Sequence, residues 1–224
     1  MSDILVTGAN GGLGKAIWHW LAHTHTVWPY DIEQGRDVRK PIMLHKDMKR
    51  LDVLINCAGV NDIDWLENFE EERWDHVMDV NAKGIYMMCR RCLPLLKESK
   101  GTIVNITSNA AWTPMTCSLA YNASKAAAHI MTRQLARELT KAHGITVFGI
   151  APNKLRGTGM SLKIEAHVQK TRGWSAEVAR QYQADALLTG EETPPEAIAE
   201  FLAFLLECKE RHRHLSGCII PYGA

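Results

Sequence analysis

The sequence predicts an α/β fold, with a doubly wound parallel sheet between two layers of helices, and three observations support it. The chain has 224 residues, of which 46% are apolar, so it can build one domain with a well-buried core. It opens with a strand, a glycine-rich turn and a helix. Later, short β-branched runs alternate with segments of helical periodicity, which is typical of parallel strands joined by helices. We therefore expect a single domain over residues 1–224.

The charge balance and the cysteines restrict the class of partner. Lys plus Arg number 26 and Asp plus Glu number 25, so bulk charge favours neither a nucleic acid nor an acidic membrane surface. No apolar run is long enough to span a membrane and no leader pattern is present, which favours a cytoplasmic protein with a small-molecule partner. The six cysteines are expected to be free thiols, and no metal site is predicted.

The glycine-rich turn carries the first functional signal. An apolar strand over Asp3–Thr7 runs directly into residues 8–14, and a helix is predicted from there to about Ala22. Glycines at such a turn let the backbone approach a pyrophosphate, and N–H groups at the helix start attract the anion. The turn therefore predicts dinucleotide binding. Its candidate contacts are Gly8, Asn10, Gly11, Gly12, Leu13 and Gly14.

The second predicted strand, Thr26–Tyr30, is followed by an acidic residue, Asp31. A carboxylate at this place accepts hydrogen bonds from the adenosine ribose and repels a 2′-phosphate, which favours NAD over NADP. An ordinary solvated Asp at a strand end is the alternative. Arg36 is the nearest cation that could offset the charge.

The segment between this strand and the next one, Asp52–Asn56, is short. About twenty residues cannot hold two full crossovers, because each needs about a dozen residues or more. We expect one helix to be missing, with a stub of a third strand over Gly35–Val38 and a short helix over Met43–Arg50. Asp37 and Val38 are expected to border the adenine.

Small residues follow the strand, and a long helical segment follows them. Asn56, Ala58 and Gly59 are candidate cofactor contacts, because small residues let the backbone pass close to a ligand. Residues 67–99 have a helical periodicity that Asn81 and a nearby glycine interrupt, so we expect a bend. The spacing allows Asn81 to face either solvent or the site.

The strongest catalytic signal lies between residues 108 and 125. Residues 101–107 indicate a buried strand that would deliver Ser108 at its carboxyl end, where the hydroxyl could hold a substrate oxygen. Tyr121 and Lys125 are four residues apart, so a helix places them on one face. An ammonium near a phenol favours the phenolate and lowers the tyrosine pKa from about 10, which suits a general acid or base.

The rest of the chain continues the alternation. A helix over Ala120–Ala142 precedes a buried strand over Ile145–Ile150. Residues 155–190 carry glycines among charged and aromatic residues without a strand pattern, and we expect a flexible flap over a pocket. A final helix from about residue 193 to Glu207 and a strand over Cys218–Pro221 complete the pattern.

Substrate contacts are predicted only by residue type. The candidates are Ser108, Trp112, Met115, Asn153 and Trp174. Asn61 and the cations near the flap could meet polar or anionic groups. Those cations are Lys154, Arg156, Lys163, Lys170 and Arg172. They suggest an anionic substrate as a hypothesis, and a solvated flap is the alternative.

Taken together, these motifs resemble the classical short-chain dehydrogenase/reductase family. Residues 7–14 are similar to its TGxxxGxG turn, residues 56–59 to its NNAG motif and residues 121–125 to its YxxxK motif. Ser108 and Asn81 fall at the family's other two catalytic positions. The motifs occur in the family's order across nearly the whole chain.

The resemblance implies a Rossmann-like sheet of seven parallel strands with the nicotinamide at their carboxyl ends. It also implies an oxidoreductase that interconverts a secondary alcohol and a ketone, with Tyr121 as general acid/base. Lys125 would lower the tyrosine pKa and hold the nicotinamide ribose, Ser108 would polarise the carbonyl, and Asn81 would anchor a water relay. Family members often form homotetramers or homodimers. The expected cofactor is NAD, with NADP as the less favoured alternative.

Two departures from the family pattern concern the cofactor. Pro152-Asn153 stands where the family has Pro-Gly, and Thr158 lies one place later than usual. Pro152 and Thr158 are the candidate contacts on the nicotinamide side, and the short segment over residues 32–51 removes part of the adenine wall. Two alternatives stay open: an NADPH-dependent carbonyl reductase, and a non-catalytic dinucleotide-binding regulatory protein.

Overall fold

The computed structural model describes residues 1–41, 43–185, 187–207 and 212–223. Within them, six parallel strands form one central sheet. The strands are β1 (Asp3–Thr7), β2 (Thr26–Tyr30), β3 (Val53–Asn56), β4 (Thr102–Ile106), β5 (Thr146–Pro152) and β6 (Ile219–Tyr222). Their spatial order is β2-β1-β3-β4-β5-β6. The chain first adds β2 on one side of β1 and then adds β3 to β6 on the other side. The sheet is therefore doubly wound, and the place where such sheets bind ligands lies between β1 and β3.

Helices cover both faces of the sheet. In the described residues they are α1 (Gly12–Leu21), α2 (Glu71–Met78), α3 (Gly84–Ser99), α4 (Leu119–His143), α5 (Gly159–Arg172), α6 (Ala176–Asp185) and α7 (Pro195–Glu207). One buried core joins the sheet to α3 and α4, and a second core joins the opposite face to α1 and α7. The predicted three-layer, Rossmann-like α/β fold is confirmed.

The strands are apolar because a parallel sheet is covered on both faces. All four residues of β3 and all five of β4 are buried. β2 lies at one edge of the sheet and contains Pro29, which lacks an N–H and fits a sheet only at such an edge. Six of the predicted strands are confirmed, with ends that shift by at most two residues.

The predicted third-strand stub over residues 35–38 and the short helix over residues 43–50 are wrong. After β2 the chain makes one 3₁₀ turn, Ile32–Gln34, and the described residues from there to β3 form turns and irregular backbone. The chain between β2 and β3 starts at the edge strand β2, crosses β1 and enters the sheet as β3 on the other side of β1. This crossing uses the residues that a further strand and helix would need. The described sheet has six strands, and the seven implied by the family resemblance are a wrong expectation.

The long helical segment is interrupted at the place where the sequence predicts a bend, and the bend itself stays a prediction. A π-helical turn over Asp79–Lys83 joins α2 to α3 and carries Asn81 at its centre. Such turns are short interruptions of an α-helix and often occur at functional sites. Gly84 begins α3, and a Cβ there would lie only 2.9 Å from Val38 Cγ2, so glycine allows the close packing at this interruption.

Residues 155–190, for which we expected a flap, contain α5 and α6. Thr158 starts α5 by accepting the N–H of Ser161 at 3.1 Å. Lys154 Nζ lies 3.1 Å from Glu165 Oε1 and so ties α5 to the chain that leaves β5. Residues 155–190 follow β5 at the carboxyl edge of the sheet. Their flexibility stays a prediction.

Candidate active site

The carboxyl end of β4 positions Ser108. Its backbone is extended, and its hydroxyl oxygen accepts the N–H of Ala110 at 3.1 Å. The hydroxyl donates to Asn109 Oδ1 at 3.2 Å. Because only 7% of Ser108 is exposed, these contacts hold its hydroxyl in one place at the edge of the sheet.

The first turns of α4 position Tyr121 and Lys125 on one face of the helix. Both side chains are buried, with 9% and 5% of the residues exposed. Lys125 Nζ lies 5.7 Å from the centre of the Tyr121 ring and donates to the carbonyl of Ile106, the last residue of β4, at 3.0 Å. Ser108 acts on the Tyr121 phenol as a hydrogen-bonding neighbour that favours a lower pKa. The structure therefore brings Ser108, Tyr121 and Lys125 together.

The tyrosine pKa differs from the expectation. Burial raises the pKa of the Tyr121 phenol above its ordinary value, and the hydrogen bond with Ser108 only opposes that rise. The expectation that Lys125 lowers the tyrosine pKa below its ordinary value is wrong for this structure. Burial also lowers the pKa of Lys125 to about 8. Low-dielectric surroundings disfavour the charged form of both groups, and helical spacing does not reveal this effect.

Asn81 faces the protein interior, and this resolves the alternative that the sequence left open. The residue is fully buried, and its Oδ1 accepts the N–H of Val60 at 2.8 Å. Its Nδ2 donates to Val60 O at 2.8 Å and to Ser124 Oγ at 2.9 Å. A Cβ on the adjacent Gly59 would lie 3.4 Å from Asn81 Oδ1 and 3.6 Å from Lys125 Nζ. Asn81 therefore fixes the backbone that borders Lys125.

The glycine turn packs closely against the chain that leaves β3. Gly8 has φ +66°, and a Cβ there would lie 2.7 Å from Ala58 Cα, so only glycine fits. A Cβ on Gly14 would overlap the carbonyl oxygen of Gly8. Gly11 donates its N–H to that same oxygen, while Leu13 is buried in the core.

The start of α1 fits an anionic ligand. The helix begins at Gly12 with no side-chain cap and no acidic residue in its first turn. The N–H groups of a first helical turn have no partner within the helix, and a bound pyrophosphate would supply one.

Thr158 and Pro152 lie near the same edge of the sheet. A Cβ on Gly12 would be 2.7 Å from Thr158 Cγ2, so the threonine methyl packs on the glycine turn. The Thr158 hydroxyl accepts an N–H at the start of α5, which leaves its hydroxyl hydrogen for another acceptor. Pro152 ends β5, and its carbonyl oxygen lies 3.5 Å from Ser108 Oγ.

Asp31 lies beside the glycine turn. Its Oδ2 accepts the N–H of Asn10, and its Oδ1 accepts the N–H of Glu33, both at 3.0 Å. Asn10 Nδ2 donates to Glu33 Oε2 at 2.8 Å, which brings a second carboxylate that the sequence analysis missed. Arg36 instead directs its guanidinium to the carbonyl of Pro29 at 3.3 Å. Two acidic side chains therefore flank the turn.

Three other predicted cofactor contacts lie after β2 or at the end of β3. Asp37 forms an ion pair with Arg39 at 2.7 Å, which lowers the pKa of the carboxyl. Val38 is buried in the core beneath α3 and α4. Asn56 Nδ2 donates to Asn105 Oδ1 at 2.8 Å, while Asn56 Oδ1 is buried and has no hydrogen-bond partner among the described residues. Asn56 is therefore fixed within the interior at the end of β3, with 3% of the residue exposed.

Asn153 is joined to Ser108 through Asn109, whose Nδ2 donates to Asn153 Oδ1 at 2.8 Å. The sequence analysis missed Asn109, although its position directly after Ser108 was a usable signal. The chain of polar contacts couples the end of β5 to the serine hydroxyl. Asn153 therefore fills the position that the family gives to glycine with a side chain that reaches the site.

The apolar substrate candidates lie further out. Trp112 and Met115 are 47% and 39% exposed, and Trp112 packs edge-on against His129 of α4 with ring centres 5.7 Å apart. Trp174 packs against Tyr182 at 5.0 Å. Their roles as substrate contacts stay predictions.

The described part of the chain contains no group of three or more His, Cys, Asp or Glu side chains placed to hold a metal ion. None of the helices in that part is both long and apolar enough to cross a membrane. The five cysteines described are free thiols, and Cys208 lies outside the described residues.

Comparison with known proteins identifies the family. A family model described as short chain dehydrogenase matches residues 18–169. A sorbitol-6-phosphate 2-dehydrogenase of Klebsiella pneumoniae is 28% identical over 239 residues, covering 92% of this chain and 89% of the relative. An uncharacterized oxidoreductase of Staphylococcus epidermidis is 34% identical over 117 residues, covering 52% of this chain and 50% of that protein.

Solved structures share the fold. A variant of actinorhodin polyketide ketoreductase with NADPH has a TM-score of 0.86 at 23% identity, covering 98% of this chain and 95% of that one. A 3-ketoacyl-(acyl-carrier-protein) reductase from Brucella melitensis complexed with NADH has a TM-score of 0.80 at 23% identity, covering 98% and 96%. Because the family model matches more than half of the chain and the motifs lie together in the expected fold, this protein belongs to the short-chain dehydrogenase family of oxidoreductases.

Proposed function

We propose that the protein is an NAD(H)-dependent oxidoreductase that interconverts a secondary alcohol and a ketone. The observation that carries the proposal is the buried group of Ser108, Tyr121 and Lys125 at the carboxyl end of β4. The Ser108 hydroxyl influences the pKa of the Tyr121 phenol, so the two groups are near enough to act on one substrate oxygen.

Tyr121 is the proposed general acid and base. Because burial raises the pKa of its phenol, the side chain holds its proton at neutral pH and can donate it to a ketone oxygen during reduction. During oxidation the phenolate form of Tyr121 accepts the alcohol proton, and the positive charge that Lys125 carries below its pKa of about 8 favours that form. Ser108 donates to the same oxygen and polarises the carbonyl. When bound, the nicotinamide supplies or accepts the hydride.

Lys125 and Asn81 support this proton transfer. One N–H of Lys125 is used by the carbonyl of Ile106, and the others remain to hold the nicotinamide ribose. Both ends of the Asn81 amide bind Val60, so we assign Asn81 to positioning the chain beside Lys125. The water relay from Asn81 that the family resemblance implies stays a prediction.

The residues that would hold the cofactor fit NAD. The glycine turn and the uncapped start of α1 suit a pyrophosphate, and Asn56, Ala58 and Gly59 border the cleft on the other side. Asp31 and Glu33 place two carboxylates beside the turn, where they would accept hydrogen bonds from ribose hydroxyls and repel a 2′-phosphate.

The name of one relative suggests where to begin the search for a substrate. The Klebsiella relative is named for a phosphorylated polyol, so polyols and their phosphates belong in the first substrate screen.

We also propose a cytoplasmic location and a homotetramer or homodimer. The exposed apolar side chains Tyr86 on α3 and Ile130 on α4, 50% and 60% exposed, would suit a subunit contact.

Parallel titrations with NADH and NADPH, followed by nicotinamide fluorescence, test the cofactor assignment. We expect NADH to bind about tenfold more tightly, because two carboxylates oppose the 2′-phosphate. A screen of secondary alcohols with NAD then tests the reaction through the absorbance of NADH. A preference for NADPH would favour a carbonyl reductase instead. Tight binding without turnover of any alcohol or ketone would favour a non-catalytic regulatory protein.

A further inference from the structure

A cavity of about 360 Å³ lies between the chain after Gly59 and helix α5. Asn61, Asp62 and Ile63 line one side of it. Lys163, His167 and Lys170 of α5 line the other side. These three positions follow one another at intervals of four and three residues, so they share one face of the helix.

The stretch of chain that forms one wall of the cavity also borders the candidate catalytic group. A Cβ on Gly59, two residues before the wall, would lie 3.6 Å from Lys125 Nζ. Asp64, directly after the wall, donates its N–H to the carbonyl of Cys117 at 2.9 Å, in the loop that leads into α4. The wall over residues 61–63 therefore runs from the lysine to the loop before the tyrosine.

One wall atom lacks a partner. Asn61 Oδ1 is buried and has no hydrogen-bond partner among the described residues. Buried polar atoms are nearly always satisfied in folded proteins, so this orphaned acceptor on a residue of the cavity wall calls for a donor. A hydroxyl group of a ligand would supply that donor.

The cations of the cavity are available, in contrast with most cations nearby. Within the described residues, neither Lys163 nor Lys170 forms an ion pair. Lys154 pairs with Glu165 at 3.1 Å, and Arg172 lies 4.8 Å over the Trp174 ring. The sequence alone could not separate these two classes of cation.

The acidic residue of the cavity does not cancel the two lysines. Asp62 Oδ2 accepts from Arg73 Nε at 2.8 Å, and this ion pair lowers the pKa of the Asp62 carboxyl. The same guanidinium also contacts Asp64 at 3.0 Å. Arg73 thus offsets one of these two negative charges, and the two positive charges of Lys163 and Lys170 exceed the one that remains.

We propose that this cavity binds the far end of the substrate, and that the substrate is a hydroxylated small molecule carrying an oxyanion, a phosphate or a carboxylate. Lys163 and Lys170 bind the oxyanion as charged donors. Asn61 Oδ1 accepts a hydrogen bond from a hydroxyl. The assignment of the ligand as substrate rests on the proposed oxidoreductase function, whereas its binding can be measured without turnover.

Isothermal titration calorimetry of the full chain, with and without NADH, tests the proposal. Glycerol 3-phosphate, glycerate and glycerol serve as probes because each has a secondary hydroxyl and they differ in the anionic group. We expect at least one of the two anions to bind about tenfold more tightly than glycerol, as charge-assisted hydrogen bonds require. The relative affinities of the two anions distinguish phosphate from carboxylate. Equal affinity for all three probes would overturn the proposal.

Variants separate the two parts of the site. K163Q/K170Q should weaken binding of the preferred anion about tenfold and leave glycerol and NADH binding unchanged. K141Q, at an exposed lysine near the end of α4, is the matched control. N61A should weaken all three probes by a similar factor, with circular dichroism and NADH binding as checks of folding. Wild-type affinities in K163Q/K170Q would refute the role of the lysines.

The outcomes also distinguish this proposal from the proposed function. If the anion binds as expected but no alcohol in the screen is oxidised, the oxidoreductase function fails and the anion site stands. If alcohols are oxidised but neutral and anionic probes bind equally, the reaction stands and the anion site fails.

Discussion

The carboxyl edge of the sheet is built in two different ways at its two ends. At the end that we propose to be catalytic, Ser108, Tyr121 and Lys125 are buried between β4 and α4, and Ser108 and Lys125 are hydrogen-bonded to backbone groups. At the end that we propose to hold the adenine, the described residues between β2 and β3 contain one 3₁₀ turn and partly exposed ion pairs such as Arg39–Asp37. Buried apolar residues, including Val38 and Leu51, anchor this second region to the core.

The two ends of the sheet edge meet different requirements, proton transfer at one end and cofactor binding at the other. Proton transfer requires donor and acceptor within hydrogen-bond reach, so its side chains need a rigid frame. Cofactor affinity is the sum of several contacts. A shortened segment between β2 and β3 therefore still permits binding if the glycine turn and Asp31 remain. Changes at the catalytic end should therefore affect turnover more than cofactor affinity, and changes at the adenine end should do the opposite.

The largest effect is expected for Tyr121→Phe. Removal of the phenolic proton donor should lower kcat about 10³-fold, while the Kd of NADH changes by less than about twofold. Tyr86→Phe, on the exposed face of α3, is the control and should keep wild-type activity. A parallel loss of NADH binding in the Tyr121 variant would contradict the separation of the two ends.

The pH dependence of ketone reduction should show a basic limb set by Lys125. A lysine whose pKa is lowered to about 8 holds its proton below that pH and loses it above. The value of kcat/KM for reduction should therefore be constant from about pH 6 to 7 and fall about tenfold per pH unit well above pH 8. Because burial raises the tyrosine pKa above its ordinary value, Tyr121 keeps its proton through the onset of this limb.

Lys125→Arg identifies the group behind that limb. A guanidinium stays charged throughout this range, so the limb should disappear in whatever activity the variant retains. A wild-type profile that stays flat up to pH 10 would rule out a charged Lys125 as the requirement.

At the adenine end, Asp31→Asn should change cofactor selectivity. Loss of the carboxylate charge should weaken NADH about tenfold and leave NADPH unchanged or tighter, because repulsion of the 2′-phosphate decreases. Fluorescence titration measures both affinities, and Asp47→Asn, with 65% of that side chain exposed in the same segment, is the control. Equal weakening of both cofactors would indicate a general disturbance of the turn and no role in selectivity.

The smallest effect is expected for Arg39→Ala. The Arg39 side chain is 32% exposed and Asp37 keeps the backbone N–H of residue 39 as a donor, so losing the ion pair should cost less than about 1 kcal/mol of unfolding free energy. NADH affinity should decrease about two- to threefold if the pair orders the adenine wall. Thermal unfolding and NADH titration on the same sample measure both effects, and a tenfold loss of affinity would show that the short segment carries more of the cofactor contact than we infer.

The sequence predicted the catalytic end more completely than the adenine end. Ser108, Tyr121 and Lys125 lie at the ends of regular elements, whose geometry fixes the direction of a side chain from its position. The segment after β2 has no strong periodicity, and its path is set by the need to pass β1, which sequence patterns do not encode. The direction of the Tyr121 pKa shift could not be predicted, because burial of the phenol arises only when α4 packs against β4.

The cavity next to the catalytic group shows the same limit. In the sequence, Lys163 and Lys170 could not be distinguished from Lys154 and Arg172 as candidate anion-binding residues. Only tertiary packing gave Lys154 a carboxylate partner and Arg172 an aromatic one. Helix α5 has weak hydrophobic periodicity, which is why its segment looked like a loop.

The position of Pro29 has a consequence for behaviour in concentrated solution. Thr26 donates its N–H to Ser2 and Tyr30 accepts one from Gly8, so the alternate residues Val27 and Pro29 turn their backbone groups away from β1. An open strand edge of this kind invites pairing with a strand of another molecule and hence aggregation. Because proline offers no N–H, it interrupts the outward row of donors. The short segment after β2 leaves this strand at the edge of the sheet. Pro29 then protects the chain against self-association through that edge.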